Sequence, residues 1–160
     1  MIPRLATIGD AAQLAVIYNE GIEERVATFE TRPRSAEDVR GWFDGRHPIV
    51  VVEQDGEVAA FASTSHYRPR ECYAGIAEVS VYVARKFRRR GAGRIALDEL
   101  IKEAKARGFW KLVSRVFPEN RASRALIASL GFREVGVYEK HGMLDGVWRD
   151  VVIVERHLLA

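Results

Sequence analysis

The chain has 160 residues, 48% of them hydrophobic and 29% charged, with 25 Lys+Arg against 22 Asp+Glu for a formal net charge of +3. This is one domain's worth of ordinary globular composition, which excludes a disordered chain, and a charge of +3 does not by itself imply a nucleic-acid partner. No apolar run approaches the ~18–20 residues of a membrane-spanning helix, the single cysteine rules out an internal disulfide, and four scattered histidines leave no Cys/His zinc site or other metal site to expect. Met1–Thr7 lacks a long apolar stretch and a small-residue cleavage site, so no secretory leader and a cytoplasmic location are expected.

In chain order, Ile2 to Ala6 reads as a strand, and Asp10 to Gly21 as an amphipathic helix with Ala11, Leu14, Ala15, Ile17 and Tyr18 at near-helical spacing. Ser35, with Asp38 three residues on, forms a capping-box arrangement that starts a second helix, which should end near Gly45 ahead of His47-Pro48. Ile49–Glu53 is a compact β-branched strand, and Asp55-Gly56 is a two-residue hairpin signal that turns it back through Val58–Ser65. After a loop at 67–70, Ile76–Val83 is long enough for a central strand. Gly91 to Arg107 is a helix stopped by Gly108, Lys111–Val116 a strand, and Asn120–Leu130 a helix ending at Gly131. Glu134–Tyr138 and Trp148–Val154 close the fold as an antiparallel pair. This order predicts an α+β architecture, a mixed sheet with helices on both faces, and not a doubly wound dinucleotide fold.

The most informative stretch runs from Val81 through Arg85-Lys86-Phe87-Arg88-Arg89-Arg90-Gly91-Ala92-Gly93-Arg94. A strand enters a basic turn, and two glycines one residue apart open a helix. Glycine lets an anion approach the main chain closely, and the free amides of a first helical turn favour a group such as pyrophosphate. Arg88, Arg89, Arg90 and Arg94 add charge-assisted donors. A basic run is also what a solvated face or a nucleic-acid contact looks like, but neither of those needs glycines at the strand-to-helix junction.

Arg88-x-x-Gly91-x-Gly93 resembles the acyl-CoA pyrophosphate loop of the GNAT N-acetyltransferase superfamily, and Asn120-Arg121-Ala122-Ser123 followed by Leu130-Gly131-Phe132 resembles that family's next helix. Four further segments, Thr28-Phe29-Glu30-Thr31-x-Pro33, Arg68-x-Arg70-x-x-Tyr73, Glu78-x-Ser80-Val81-Tyr82-Val83 and Gly146-x-Trp148-x-Asp150, are similar to the phosphinothricin, methionine sulfoximine and arsinothricin acetyltransferases. The resemblance covers nearly the whole chain. It implies one GNAT domain over 1–160, with a central, mostly antiparallel sheet, acetyl-CoA as co-substrate, a small amino acid as acceptor, and a homodimer.

In such enzymes the strand bearing Val81 and Val83 splays from its neighbour. The resemblance therefore implies that Val81, Tyr82 and Val83 bind the pantetheine arm through their backbone. An amide near Val81 would hold the oxygen on which charge develops. Residues 88–94, Ala92 included, would bind the pyrophosphate, and Asn120 and Ser123 would contact the cofactor, although both could equally cap their helix.

Alternation sets Ile76, Glu78, Ser80 and Tyr82 on one side of the strand. A carboxylate there needs either a partner or a purpose. Glu78 is the candidate base for the acceptor's ammonium, the plain alternative being a salt bridge to an arginine. Phe29, Glu30, Arg68, Arg70, Tyr73 and Ser80 are the candidate acceptor contacts, the two guanidiniums because their forked donors match carboxylate or phosphinate oxygens.

Relatives in this branch often carry a histidine where this chain has Ile127, and isoleucine cannot move a proton. Either Glu78 suffices, or Tyr73, Tyr138 or His141 substitutes; His141 is expected in an exposed turn, and Trp148 in the core. Cys72 reads as a quiet small residue. Other acceptors, a protein N-terminus or a polyamine, and a non-catalytic acyl-CoA- or RNA-binding module are the competing readings. Arg68 and Arg70 favour anionic acceptors over both of those amines.

Overall fold

The computed structural model describes residues 1–159. In chain order the elements are β1 (Ile2–Leu5), α1 (Ala11–Glu24), α2 (Ala36–Arg40), β2 (Ile49–Gln54), β3 (Glu57–His66), β4 (Ile76–Val83), α3 (Ala92–Ala106), β5 (Lys111–Val116), α4 (Arg121–Ser129), β6 (Arg133–Leu144) and β7 (Val147–His157). The seven strands form one sheet in the order β1-β2-β3-β4-β5-β7-β6, antiparallel throughout except for the parallel pair β4–β5.

Helices cover both faces, as the pattern predicts. Phe61 and Tyr82 stand side by side on one face with their rings stacked 5.4 Å apart, and Tyr18 of α1 packs on Tyr82 at 5.0 Å. On the other face, Gly93 of α3 lies against Val83 and against Leu126 of α4. The core between α3 and the sheet is fully buried and apolar, with Leu97, Leu100, Leu112, Val50 and Val52 at its centre.

Local chemistry explains the ends. Ser35 accepts from the Asp38 amide at 3.1 Å while Asp38 accepts from the Ser35 amide at 2.9 Å, the predicted capping box. That helix stops at Arg40, earlier than Gly45, and α1 runs three residues past Gly21, to Glu24, before Arg25 takes a left-handed conformation with φ 58°. Asp55 and Gly56 both have positive φ (54° and 79°), the geometry a two-residue hairpin needs.

The last two strands differ most from expectation. They extend to Leu144 and from Val147, well beyond 134–138 and 148–154, because Asp145-Gly146 (φ 50° and 77°) makes a second tight turn of the same kind. Trp148 is 56% exposed and lies outside the core, paired with Met143, which is exposed as well, while Leu144 takes the buried face. His141 is in no turn: it belongs to β6, at an irregularity where the pairing jumps from Tyr138↔Val151 to Gly142↔Arg149. No helix is long and apolar enough to cross a membrane, and among the described residues no three His, Cys, Asp or Glu side chains gather as a metal site would require.

Candidate active site

The site begins where the sheet comes apart. The ladder between β4 and β5 consists of Ile76↔Lys111, Ala77↔Leu112 and Glu78↔Val113 and stops there, although β4 continues to Val83 and β5 to Val116. The Ser114 hydroxyl donates to the Val79 carbonyl at 2.8 Å, the last tie before the strands diverge. Leu126, Ile127 and Phe132 line the gap, and a narrow cavity opens between them and residues 79–82 of β4. The β5-facing side of this stretch has no ladder partner among the described residues, so an extended ligand can add to it as a strand would.

The basic turn sits at the mouth of that gap. Gly91 caps α3 with φ 85°, a left-handed conformation that a side chain would strain, and no side chain caps the helix, so its first amides remain available to an anion. The arginines divide by partner. Arg88 donates to Glu24 at 2.6 Å, and that hydrogen bond holds the Glu24 carboxyl below its usual range and pushes the guanidinium up. Arg94 donates to the Ser129 hydroxyl at 2.6 Å, and Arg90 lies over the Phe87 ring. Arg89 adopts φ 64°, and neither it nor Arg90 has an ion-pair partner among the described residues.

Gly93 has a packing reason of its own: a Cβ there would stand 3.1 Å from Val83 Cγ2 and 3.4 Å from Leu126 Cδ2. On α4, Asn120 Oδ1 accepts from the Ser123 amide at 3.2 Å, so it caps the helix while both residues line the cavity. The two roles coexist.

A second, wider cavity adjoins the first and shares Val79, Ser80, Tyr82 and Arg115 with it. Here Glu78, Ser80 and Tyr82 face inward, as alternation along β4 requires. Phe29 forms an apolar wall, its ring 4.9 Å from Phe117 and so close to Gly142 that a Cβ there would lie 2.8 Å from it. Gly21 likewise makes room for the Tyr82 ring. Burial pushes the Tyr82 and Tyr18 phenols above their ordinary range.

Glu78 Oε1 accepts from both Arg115 Nε (3.0 Å) and Nη2 (2.7 Å), whereas Oε2 has no partner among the described residues. The carboxylate is thus ion-paired and cavity-facing at once, joining the two readings that the sequence leaves open. Glu30 pairs with Arg34 at 2.9 Å.

Phe29, Glu30, Glu78, Ser80 and Tyr82 therefore come together, but Arg68, Arg70 and Tyr73 do not join them. Arg68 stacks on Tyr67 at 5.0 Å, Tyr73 packs edge-on against the same ring at 6.0 Å, and none of the three lines either of these two cavities. The guanidinium that does line the cavity is Arg115, which sequence reasoning passed over. A charged residue inside the strand, two positions after Val113, was its only signal.

Comparison with known proteins agrees with this geometry. Residues 15–132 match the acetyltransferase (GNAT) family. The chain is 32% identical to an L-methionine sulfoximine/L-methionine sulfone acetyltransferase of Pseudomonas paraeruginosa, covering 97% of this chain and 93% of that one. Its fold matches the crystal structure of a ribosomal-protein-alanine N-acetyltransferase from Brucella melitensis at TM-score 0.93 and 34% identity, over 98% of this chain and 99% of that one. It also matches a phosphinothricin acetyltransferase from Sinorhizobium meliloti, solved in complex with acetyl-CoA, at TM-score 0.90 and 29% identity over 98% and 87%. With the parted strands, the glycine-opened helix and a match over most of its length, the chain belongs to the GNAT family of acetyltransferases.

Proposed function

We propose that residues 1–160 form one acetyl-CoA-dependent N-acetyltransferase domain. It acts on the α-amino group of a small amino acid of the phosphinothricin, methionine sulfoximine or arsinothricin type, and so removes a toxic glutamate analogue. One observation carries this reading: the gap between β4 and β5 and the cavity holding Glu78 meet along Val79–Tyr82. A thioester threaded along β4 would deliver its acyl carbon beside the carboxylate.

The residues present fit such a coenzyme. The uncapped start of α3, with Arg89 and Arg90 beside it, suits a pyrophosphate, and the unladdered edge of β4 suits an amide-bearing arm. When bound, acetyl-CoA supplies the activated acetyl group. The backbone near Val81 would donate to the carbonyl oxygen as charge develops there. Glu78 Oε2, free of protein partners, would take the proton that the acceptor's ammonium must lose. Phe29 gives the acceptor's carbon chain an apolar wall, and Arg115 offers its free edge to a carboxylate.

A second reading, a peptide N-terminus as acceptor, is favoured by a further open cavity. It continues from the acceptor cavity at Tyr18 and Ser80 past Arg34 and Trp42, room that a free amino acid does not need. Release of free thiol from acetyl-CoA separates the two. The assay compares phosphinothricin, methionine sulfoximine, arsinothricin, ordinary amino acids, a polyamine and an alanine-initiated peptide. Preference for the glutamate analogues supports the first reading, preference for the peptide supports the second, and no thiol release with any amine ends both.

A further inference from the structure

We propose that His141 is the proton outlet of the acceptor cavity and that Asp150 is the residue that positions it. The inference deepens the acetyl-transfer reading above and rests on it. Between Tyr138↔Val151 and Gly142↔Arg149, three residues of β6 (Glu139, Lys140 and His141) stand opposite Asp150 alone. Such a bulge re-aims side chains at a sheet edge.

It is fixed at both ends. Asp150 Oδ1 accepts from the Lys140 amide at 2.8 Å, with Lys140 held at φ 47°, and Gly142 is seated against the Phe29 ring. The residue between these two anchors is His141, and it lines the acceptor cavity. The Tyr138 ring supports the imidazole at 4.7 Å.

The other ionisable groups on this cavity are Glu78 and Tyr82 from β4, Arg115 from β5, Tyr18 from α1 and Glu30 from the segment after α1. Each carboxylate already has an arginine, and both phenols are partly buried, which holds them above their ordinary range. Imidazole is the side chain that loads and unloads protons between pH 5 and 8. His141 is exposed, whereas the Glu78 side chain is three-quarters buried, at 25% exposure. A proton taken up inside therefore has a carrier at the rim.

The step balances as follows. One N–H bond of the acceptor's ammonium breaks, and its proton passes to Glu78 Oε2. It then moves, directly or across a water, to a ring nitrogen of His141, and the imidazolium releases it to bulk water. The amine lone pair forms the N–C bond as the acyl C–S bond breaks, and the nitrogen's second proton ends on the departing sulfur.

The test is His141→Gln, assayed by thiol release from pH 5.5 to 9 with methionine sulfoximine and with the best amine of the screen. At neutral pH kcat should fall about 10–100-fold, with the KM for acetyl-CoA unchanged and turnover partly restored by added imidazole. Asp150→Ala should lose part of the same activity, and Asp150→Asn, which still presents an acceptor to the Lys140 amide, should recover it.

Unchanged turnover in His141→Gln, or a loss that imidazole does not restore, overturns the proposal. If Glu78→Gln is impaired in the same assay, the acetyl-transfer reading survives that outcome. A readout without turnover is the NMR signal of the His141 ring, identified by its absence in His141→Gln. It should shift when methionine sulfoximine is added with coenzyme A, and an unmoved signal also overturns the proposal.

Discussion

Ser114 donates its hydroxyl to the Val79 carbonyl at 2.8 Å, one residue beyond the last ladder pair of β4 and β5, Glu78 with Val113. Both residues are buried. This bond sets the apex of the gap. Ser114→Ala should cost about 1–2 kcal/mol of stability, the usual consequence of orphaning a buried carbonyl. The KM for acetyl-CoA should rise as the apex loosens, and Ser114→Thr, which keeps the hydroxyl, should restore both. Urea denaturation and thiol-release kinetics measure the two effects.

Glu78→Gln keeps the shape of the side chain and removes its basicity. Turnover should fall about 10²–10³-fold, while acetyl-CoA binding measured by calorimetry stays within about threefold. Turnover near that of the parent protein would take Glu78 out of the chemistry and leave it as a partner of Arg115.

The arginines of the basic turn should behave differently from one another. Arg90 has no ion-pair partner among the described residues, so Arg90→Ala should weaken acetyl-CoA binding several-fold with no change in melting temperature. Arg88 is tied to Glu24, and Arg88→Ala should lower the melting temperature slightly as well, the pair being partly exposed. Calorimetry at two salt concentrations, beside thermal melts, separates these outcomes. An RNA-binding role would instead show a steep salt dependence with oligonucleotide.

Glu155 carries a pH prediction. The Lys111 hydrogen bond at 2.6 Å, helped by Arg133 and opposed by burial, holds its carboxyl below the ordinary range. In the unfolded chain the same group titrates near ~4.3. The stabilisation is thus complete above that value and is lost as pH falls through the lower folded one. Glu155→Gln should lower the melting temperature at pH 7 by about 4–8 °C, for a loss of about 2 kcal/mol. It should also flatten the melting curve's pH dependence below ~4.3. A variant as acid-sensitive as the parent would refute this account.

Much of this architecture was readable from sequence where the signal is local. Asp55-Gly56 announces its turn because both positions need positive φ, and Ser35 with Asp38 announces a helix start because the two satisfy each other's amides. Asp145-Gly146 carries the same turn signal, yet its strands were read short. The three-residue bulge breaks alternation just before it, and only pairing with Asp150 makes those residues part of a strand.

Within the site, Glu78, Ser80 and Tyr82 follow from period-two alternation on one strand. Arg115 and His141 reach the cavity through sheet order, which sets β5 beside β4 and the β6–β7 hairpin beside β5, and no spacing along the chain encodes that. Arg68 and Arg70 illustrate the converse. Their spacing suits a bidentate pair, but the direction a loop takes depends on Tyr67 and Tyr73 packing beside it.

The outermost strand also has a solubility problem to solve. β6 is the sheet's last strand, and Val135, Val137, Tyr138 and Met143 stand exposed along it, an apolar rim with unpaired backbone groups that could recruit another chain. The outward kink at Glu139 and Lys140 interrupts that rim with two charges. An intruding strand starting at Arg133 would meet one irregularity between Glu134 and Gly136 and a second after Tyr138. The same irregularity that turns an imidazole inward thereby acts as a gatekeeper against fibre-like stacking.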